Sequence, residues 1–294
     1  MPTYKVGIVD VFAHSSLSGN PLAVVEDGAG LDDDQRRAIA REFNQSETTF
    51  LQPSTHSDID WELRSFTAAG NEVLGAGHNA LGAWLWLGLR GMLGDITGRR
   101  TFRQKIGTDV LPVHLECDNG RLLVTMEQAE AQFGQDLLET YPLAMALGLD
   151  LPSILLHPAP RVVATGASHL LVRLKDKADV DRASPRDEAL LDVLGNTHDR
   201  GCYIYALQER AEAQAYTRFF NPSVGLVEDP ATGSAAGPLA AYLNHSGMLD
   251  RDVPLIVEQG TKLGRKSLLV ATVRDRVELS GTGVIVMTGN LHLN

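Results

Sequence analysis

Four residues in this 294-residue chain have types and settings suited to moving a proton: Glu47, His78, Asp229 and Ser234. Asp229 stands in GLVEDPATGSAAGPLAAYL (225–243), where an acidic pair and Pro230 lead through Thr232-Gly233-Ser234 into an apolar run. Core packing does not require that order, whereas an anion-binding or acid/base site could use it. A helix N-terminus carries orphan N–H donors and a partial positive charge, and a glycine there lets the backbone come close to a ligand. Gly77-His78 and Gly233-Ser234 each set such a turn before an apolar helix, so two helix starts in one cleft would receive a carboxylate. Ser234 serves as N-cap or as ligand donor. Plain helix capping at both turns, and a loop acid capping the turn before Pro230, are the alternatives. A protonated His78 would oppose the dipole of its helix, so a neutral imidazole is expected there. Glu47, in FNQSETTFL, starts a strand whose alternation sets Glu47, Thr49 and Leu51 on one face and Thr48 and Phe50 on the other. Leu51 marks the first face as partly buried. Burial raises the pKa of a carboxyl toward values useful in acid/base work. A solvated strand-edge glutamate is the competing reading.

The elements that must position these residues follow from periodicity and turn chemistry. Tyr4 to Phe12 reads as a strand, and Gly19-Asn20-Pro21 as a turn before a strand from Leu22 to Val25. LDDDQRRAIAREF reads as a helix, with Asp32, Asp33 and Asp34 at its positive end and Ala38, Ile39 and Phe43 as its apolar stripe. SETTFLQP and SDIDWELRSFT are strands, and a helix from about His78 to Arg90 stops at Gly91. GTDVLPVHLECDNGRLLVTMEQ is a hairpin around Asp118-Asn119-Gly120. The second half begins near Phe133. QDLLETYPLAMALGLD reads as helical at both ends, with Pro142 near a first turn. RVVATGASHLLVRLKD is strand, turn, strand, and SPRDEALLDVLGN is a helix ending at Gly195. GCYIYALQE and AQAYTRFFNP are strands, a helix runs from about Ser234 to Asn244, and four strand-like segments close the chain.

The two halves repeat one order of elements. The expectation is therefore an α+β fold of two pseudo-twofold-related lobes, each a bent, largely antiparallel sheet wrapped around a central helix. The lobes are 1–125, with Glu47 and the Gly77-His78 helix start, and 126–294, with the EDPATGS motif. A return of the last strand to the first lobe is left open. The central helix starts are expected to meet across one cleft, with Glu47 and Asp229 lining it.

Composition bounds the partners. The chain is 44% hydrophobic and 21% charged, with a net charge of −11. It would repel a phosphate backbone, which argues against nucleic acid. MPTYKVGIVDVF lacks the layout of a secretory leader. LGAWLWLGLRGMLG is too short to span a bilayer and is interrupted by Arg90, so no membrane is expected. Cys117 and Cys202 lie far apart and outside any metal-type spacing. They read as thiols of a cytoplasmic protein, with a disulfide as the alternative. Neither a metal-spaced cluster nor a dinucleotide or phosphate-loop glycine pattern is present, so no cofactor is expected.

GNPLAVV, NQSETTFL, AGHNALGAW, EDPATGSAAGPLAAYL and EQGTKLGRKS occur in an order similar to that of the PhzF-like isomerases of phenazine biosynthesis, which share the diaminopimelate epimerase-like fold. The resemblance runs from the N-terminus to about Ser267. It implies Glu47 as the catalytic acid/base, with His78, Asp229 and Ser234 around the substrate. Asn20, Ser46, Gly77 and Gly233 are implied to bind it, Gly77 and Gly233 at the paired helix ends. It also implies a homodimer and isomerisation of a small, dihydro-hydroxyanthranilate-type carboxylic acid. The sequence departs from the usual pattern at FTAAGNEVLGAGHNALGA, where Ala68 replaces a proline, the link through Asn71 is longer, and Asn79-Ala80 follow the histidine. That departure bears on substrate choice near His78. The related cysteine epimerases place one thiol before each helix-end glycine. Here those positions are Ala76 and Thr232, neither of which gives up a proton at neutral pH. An epimerase using Glu47 with Asp229 or His78, and a non-catalytic anion-binding protein, are the rival readings.

Overall fold

The computed structural model describes residues 2–118, 120–195, 200–209 and 211–293. Asn119, at the tip of the expected hairpin, lies outside them. The chain divides into two compact units, Met1–Met126 with Ser280–Asn294, and Glu127–Leu279.

The first unit begins with β1 (Thr3–Val11), β2 (Asn20–Val25), α1 (Asp33–Phe43), β3 (Glu47–Pro53) and β4 (Trp61–Thr67). The short β5 (Glu72–Val73) and α2 (His78–Leu89) follow, then β6 (Arg100–Ile106), β7 (Asp109–Asp118) and β8 (Arg121–Glu127). Asp32 caps α1 with a complete capping box, its side chain accepting from Gln35 N while Gln35 Oε1 accepts from Asp32 N. Crossing over α1 makes β2 and β3 parallel, and crossing over α2 makes β4 and β6 parallel; the other contacts between successive strands are antiparallel.

The second unit holds β9 (Gln132–Asp136), α3 (Tyr141–Leu147), β10 (Arg161–Ala164), β11 (Ser168–Arg173), α4 (Lys177–Arg182) and α5 (Asp187–Leu194). Next come β12 (Cys202–Leu207), β13 (Ala215–Asn221), β14 (Leu226–Asp229), α6 (Gly233–His245), β15 (Leu255–Gln259), β16 (Ser267–Val273) and β17 (Val277–Gly281). Its pairing pattern is that of the first unit. β10–β11, β12–β13, β13–β14 and β15–β16 are antiparallel, while β11–β12 and β13–β15 are parallel across their helical crossovers. The final strand, β18 (Gly283–His292), lies antiparallel to β1, and β9 lies antiparallel to β10 in the equivalent place.

The fold is thus α+β with mostly antiparallel strands. In each unit one helix is apolar on nearly all sides and buried. In α2 the buried run is His78 to Leu87, and in α6 it is Gly233 and Ala235 to Leu243. Trp84 and Trp86 within α2 find partners for their indole N–H groups in Gln104 Oε1 at 2.8 Å and Glu26 Oε1 at 3.0 Å.

The structure departs from the sequence reading at two elements. The start of QDLLETYPLAMALGLD is not helical, because Gln132–Asp136 pairs with β10; a short polar edge strand lacks the alternation that would mark it. The six-residue helix α4 has no long apolar stripe to mark it in the sequence. On β3 the face of Glu47, Thr49 and Leu51 is largely buried, as Leu51 implies, and Thr48 and Phe50 on the other face are buried as well. Phe50 packs in a cluster with Ile39, Ala40 and Phe66 on the α1 side, while the opposite side, through Thr49 and Ser65, meets Asn79 of α2.

Candidate active site

In the first unit the structure brings Glu47 and His78 together. One is the first residue of β3 and the other the first residue of α2, so each side chain hangs from the end of a rigid element. Glu47 Oε2 stands 2.9 Å from His78 Nε2, with the two side chains 19% and 10% exposed. Gly77 occupies the N-cap position with φ −125° and ψ −141°, outside both the helical and the extended regions. The preceding loop is held by Asn79, whose Oδ1 accepts from Gly77 N at 2.8 Å and whose Nδ2 donates to Gly75 O and Ser65 Oγ, each at 3.1 Å. Thr49 Oγ1 and Ser65 Oγ, 2.8 Å apart, continue this network beneath Glu47. Asn20 is fully buried at the start of β2, and Ser46 is exposed beside Glu47. The departure at Ala68–Asn71 forms a tight turn in which Gly70 N donates to Thr67 O, φ at Gly70 being +88°. It lays β5 back along β4 and pairs Glu72 with Arg64 at 2.7 Å.

In the second unit Asp229, Gly233 and Ser234 lie along a single clamped segment. Asp229 ends β14 and is buried, and the hydroxyl of Thr232 donates to its Oδ2. The neighbouring acid, Glu228, has a different task. It forms a two-pronged ion pair with Arg218, at 2.9 and 2.8 Å, and the same guanidinium donates to the carbonyls of Val180 and Ala183. This pair fixes β14 to β13. Gln259, wholly buried, closes the loop after Asp229. Its Nε2 donates to Asp229 O (2.7 Å) and Thr232 Oγ1 (3.0 Å), and its Oε1 accepts from Thr232 N (3.2 Å) and Tyr203 OH (3.0 Å). The Gln259 amide therefore turns the Thr232 hydroxyl toward Asp229.

The N-cap of α6 is Thr232, not Ser234, and its side chain makes no capping bond because it is committed to Asp229. Gly233 opens the helix, and its carbonyl accepts from Gln128 Nε2 at 3.0 Å. Ser234 Oγ lies 3.1 Å from Nε2 of His169, a β11 residue that is nearly fully buried. Burial, reinforced by the charge of Arg200, pushes the His169 imidazole down to about 4.

Asn79, His169, Arg218 and Gln259 are supporting residues to which motif reading gave no such role, although Asn79 and Gln259 stand within the motifs quoted above. Their common signal is a polar side chain inside an otherwise apolar strand or helix, where burial obliges it to find partners. Cys202 is buried, and its thiol is pushed up to about 12 by desolvation; Cys117 is exposed on β7. Among the described residues, no group of three or more His, Cys, Asp or Glu side chains could hold a metal ion. No described helix is long and apolar enough to cross a membrane.

The family model of phenazine biosynthesis-like proteins, PhzC-PhzF, matches residues 9–289. The chain belongs to that family. It is 34% identical to the trans-2,3-dihydro-3-hydroxyanthranilate isomerase of Pseudomonas fluorescens, over 97% of this chain and 98% of the relative. A PhzF-family phenazine biosynthesis protein of Bacillus anthracis has the same fold at a TM-score of 0.89, with 26% identity and full coverage of both chains. A predicted epimerase from Pseudomonas aeruginosa matches at a TM-score of 0.82 and 31% identity, over 99% of this chain and 100% of that one. As a PhzF-family protein, the chain is an enzyme of the isomerase class.

Proposed function

We propose that this PhzF-family chain is a cofactor-independent isomerase that moves a proton within a small carboxylic acid of the dihydro-hydroxyanthranilate type, with Glu47 as the acid/base. The observation that carries this reading is the Glu47 carboxylate held 2.9 Å from His78 Nε2 at the ends of two packed elements. A carboxylate takes a proton from a substrate carbon, the C–H electron pair shifts the neighbouring double bond, and the carboxyl returns the proton to the far end of the shifted system. That cycle balances with no metal, redox partner or second substrate. His78 orients Glu47. Gly77, Gly233 and Ser234 supply donors for the substrate carboxylate, Asp229 accepts from a polar substituent, and Asn20 and Ser46 complete the binding set.

An epimerase using Glu47 with His78 or Asp229 is the second reading, favoured by the predicted epimerase among the structural relatives. A two-thiol racemisation lacks its groups, since the residues before the helix-start glycines are Ala76 and Thr232. Incubation with trans-2,3-dihydro-3-hydroxyanthranilate in D₂O separates the readings. Deuterium incorporation with a shifted double bond supports the isomerase. Incorporation with inversion of a centre supports the epimerase, and binding without exchange leaves an anion-binding protein. A cytoplasmic homodimer belongs to the same proposal.

A further inference from the structure

We propose that His169 is a positioning residue that fixes Ser234 as a hydrogen-bond donor to a carboxylate oxygen, the donor role resting on the function proposed above. The argument concerns proton placement. Gly201 N lies 3.2 Å from His169 Nδ1. A backbone N–H can only donate, so Nδ1 carries a lone pair and the single ring proton of the neutral imidazole sits on Nε2. That proton faces Ser234 Oγ at 3.1 Å. The serine oxygen therefore accepts from His169, and its own proton is directed away from the ring.

The polarity is locked by packing. The ring of Phe219 meets His169 edge to face, with centroids 4.9 Å apart at 83°. Gly201 lies so close to Phe219 that a Cβ there would come within 2.2 Å of Cζ. Only glycine lets the N–H of residue 201 reach the imidazole, and Phe219 packs against both. His169 cannot serve as a base toward Ser234, because the nitrogen facing the serine already bears a proton. This arrangement excludes His169 as the base of a serine nucleophile and leaves the Ser234 proton free for donation to an acceptor.

Two measurements test this. In ¹⁵N-labelled wild type, His169 is expected as the neutral Nε2–H form throughout pH 5–8. A protonated Nδ1, or titration near pH 6.5, overturns the proposal whatever the substrate. The second measurement is steady-state kinetics on trans-2,3-dihydro-3-hydroxyanthranilate. His169→Asn keeps an acceptor for Gly201 but loses the donor to Ser234, and is expected to lower kcat/KM by about 3–10-fold, the worth of one hydrogen bond. His169→Gln places an amide N–H near the Nε2 position and restores most of that loss. In a Ser234→Ala background the same His169→Asn change should add nothing. Equal losses in the Asn and Gln variants, or additive losses in the double variant, overturn it. Absence of turnover in the wild type would instead refute the proposed function, and the nitrogen spectra would still decide the placement of the proton.

Discussion

At the scale of single residues, the prominent acids divide sharply in role. Glu228 is a structural ion-pair partner of Arg218, Asp229 is an acceptor held by Thr232, and Glu47 stands against a histidine with no cation among its neighbours in the described ion pairs. Glu47→Gln is near-isosteric but cannot exchange protons, so it is expected to fold normally and to lose about 10²-fold or more in turnover. Deuterium exchange into the substrate measures this, and retained exchange would move the proton transfer to another group. His169 also leaves a thermodynamic mark. Its folded-state value of about 4 lies below the ordinary 6.5, so the unfolded chain takes up the proton first as pH falls. Its contribution to stability is complete above about pH 6.5 and is lost progressively toward pH 4, an effect on the order of 3 kcal/mol. Denaturant unfolding of wild type and His169→Gln across that window should show the variant with a shallower pH slope.

At the scale of elements, the segment from β14 into α6 owes its shape to a side chain on another strand. Gln259 of β15 uses both ends of its amide to hold Asp229, Thr232 and Tyr203. Gln259→Leu would remove four hydrogen bonds at once, and each buried polar group left without a partner costs about 1–3 kcal/mol. It is expected to lower the melting temperature and reduce kcat/KM while leaving Glu47 and His78 unaltered. A fully active, equally stable variant would show that the loop holds its own conformation. The same scale explains the sequence readings that missed. α2 and α6 announce themselves through long apolar runs and glycine turns. β9 is short and polar, and its strand character comes entirely from lying against β10.

At the scale of the whole molecule, neither unit carries a thiol at its central helix start. Cys117 lies on β7 and Cys202 on β12, the latter fully buried. The Cys117→Ser/Cys202→Ser double variant is therefore expected to keep wild-type turnover. Loss of activity on alkylating the wild type, abolished in the double variant, would contradict the carboxylate mechanism. The proposed homodimer has its own check, since sedimentation should give twice the chain mass of 31.8 kDa, and a monomer at working concentration would refute it.

The sequence by itself determined the repeated order of elements, the two buried helices and the glycine turns that open them. These rest on local periodicity and turn chemistry, which act within a few residues. It also marked Glu47, His78, Asp229 and Ser234, through motifs whose residue types suit proton transfer. Only the tertiary structure decided which groups face one another. It set Glu47 against His78, gave Glu228 to Arg218 and Asp229 to Thr232, and made Thr232 rather than Ser234 the cap of α6. It also put His169 behind Ser234, 65 positions away in sequence. The physical reason is that a buried polar group must find a partner, and which partner lies within hydrogen-bond reach is set by strand pairing between distant segments.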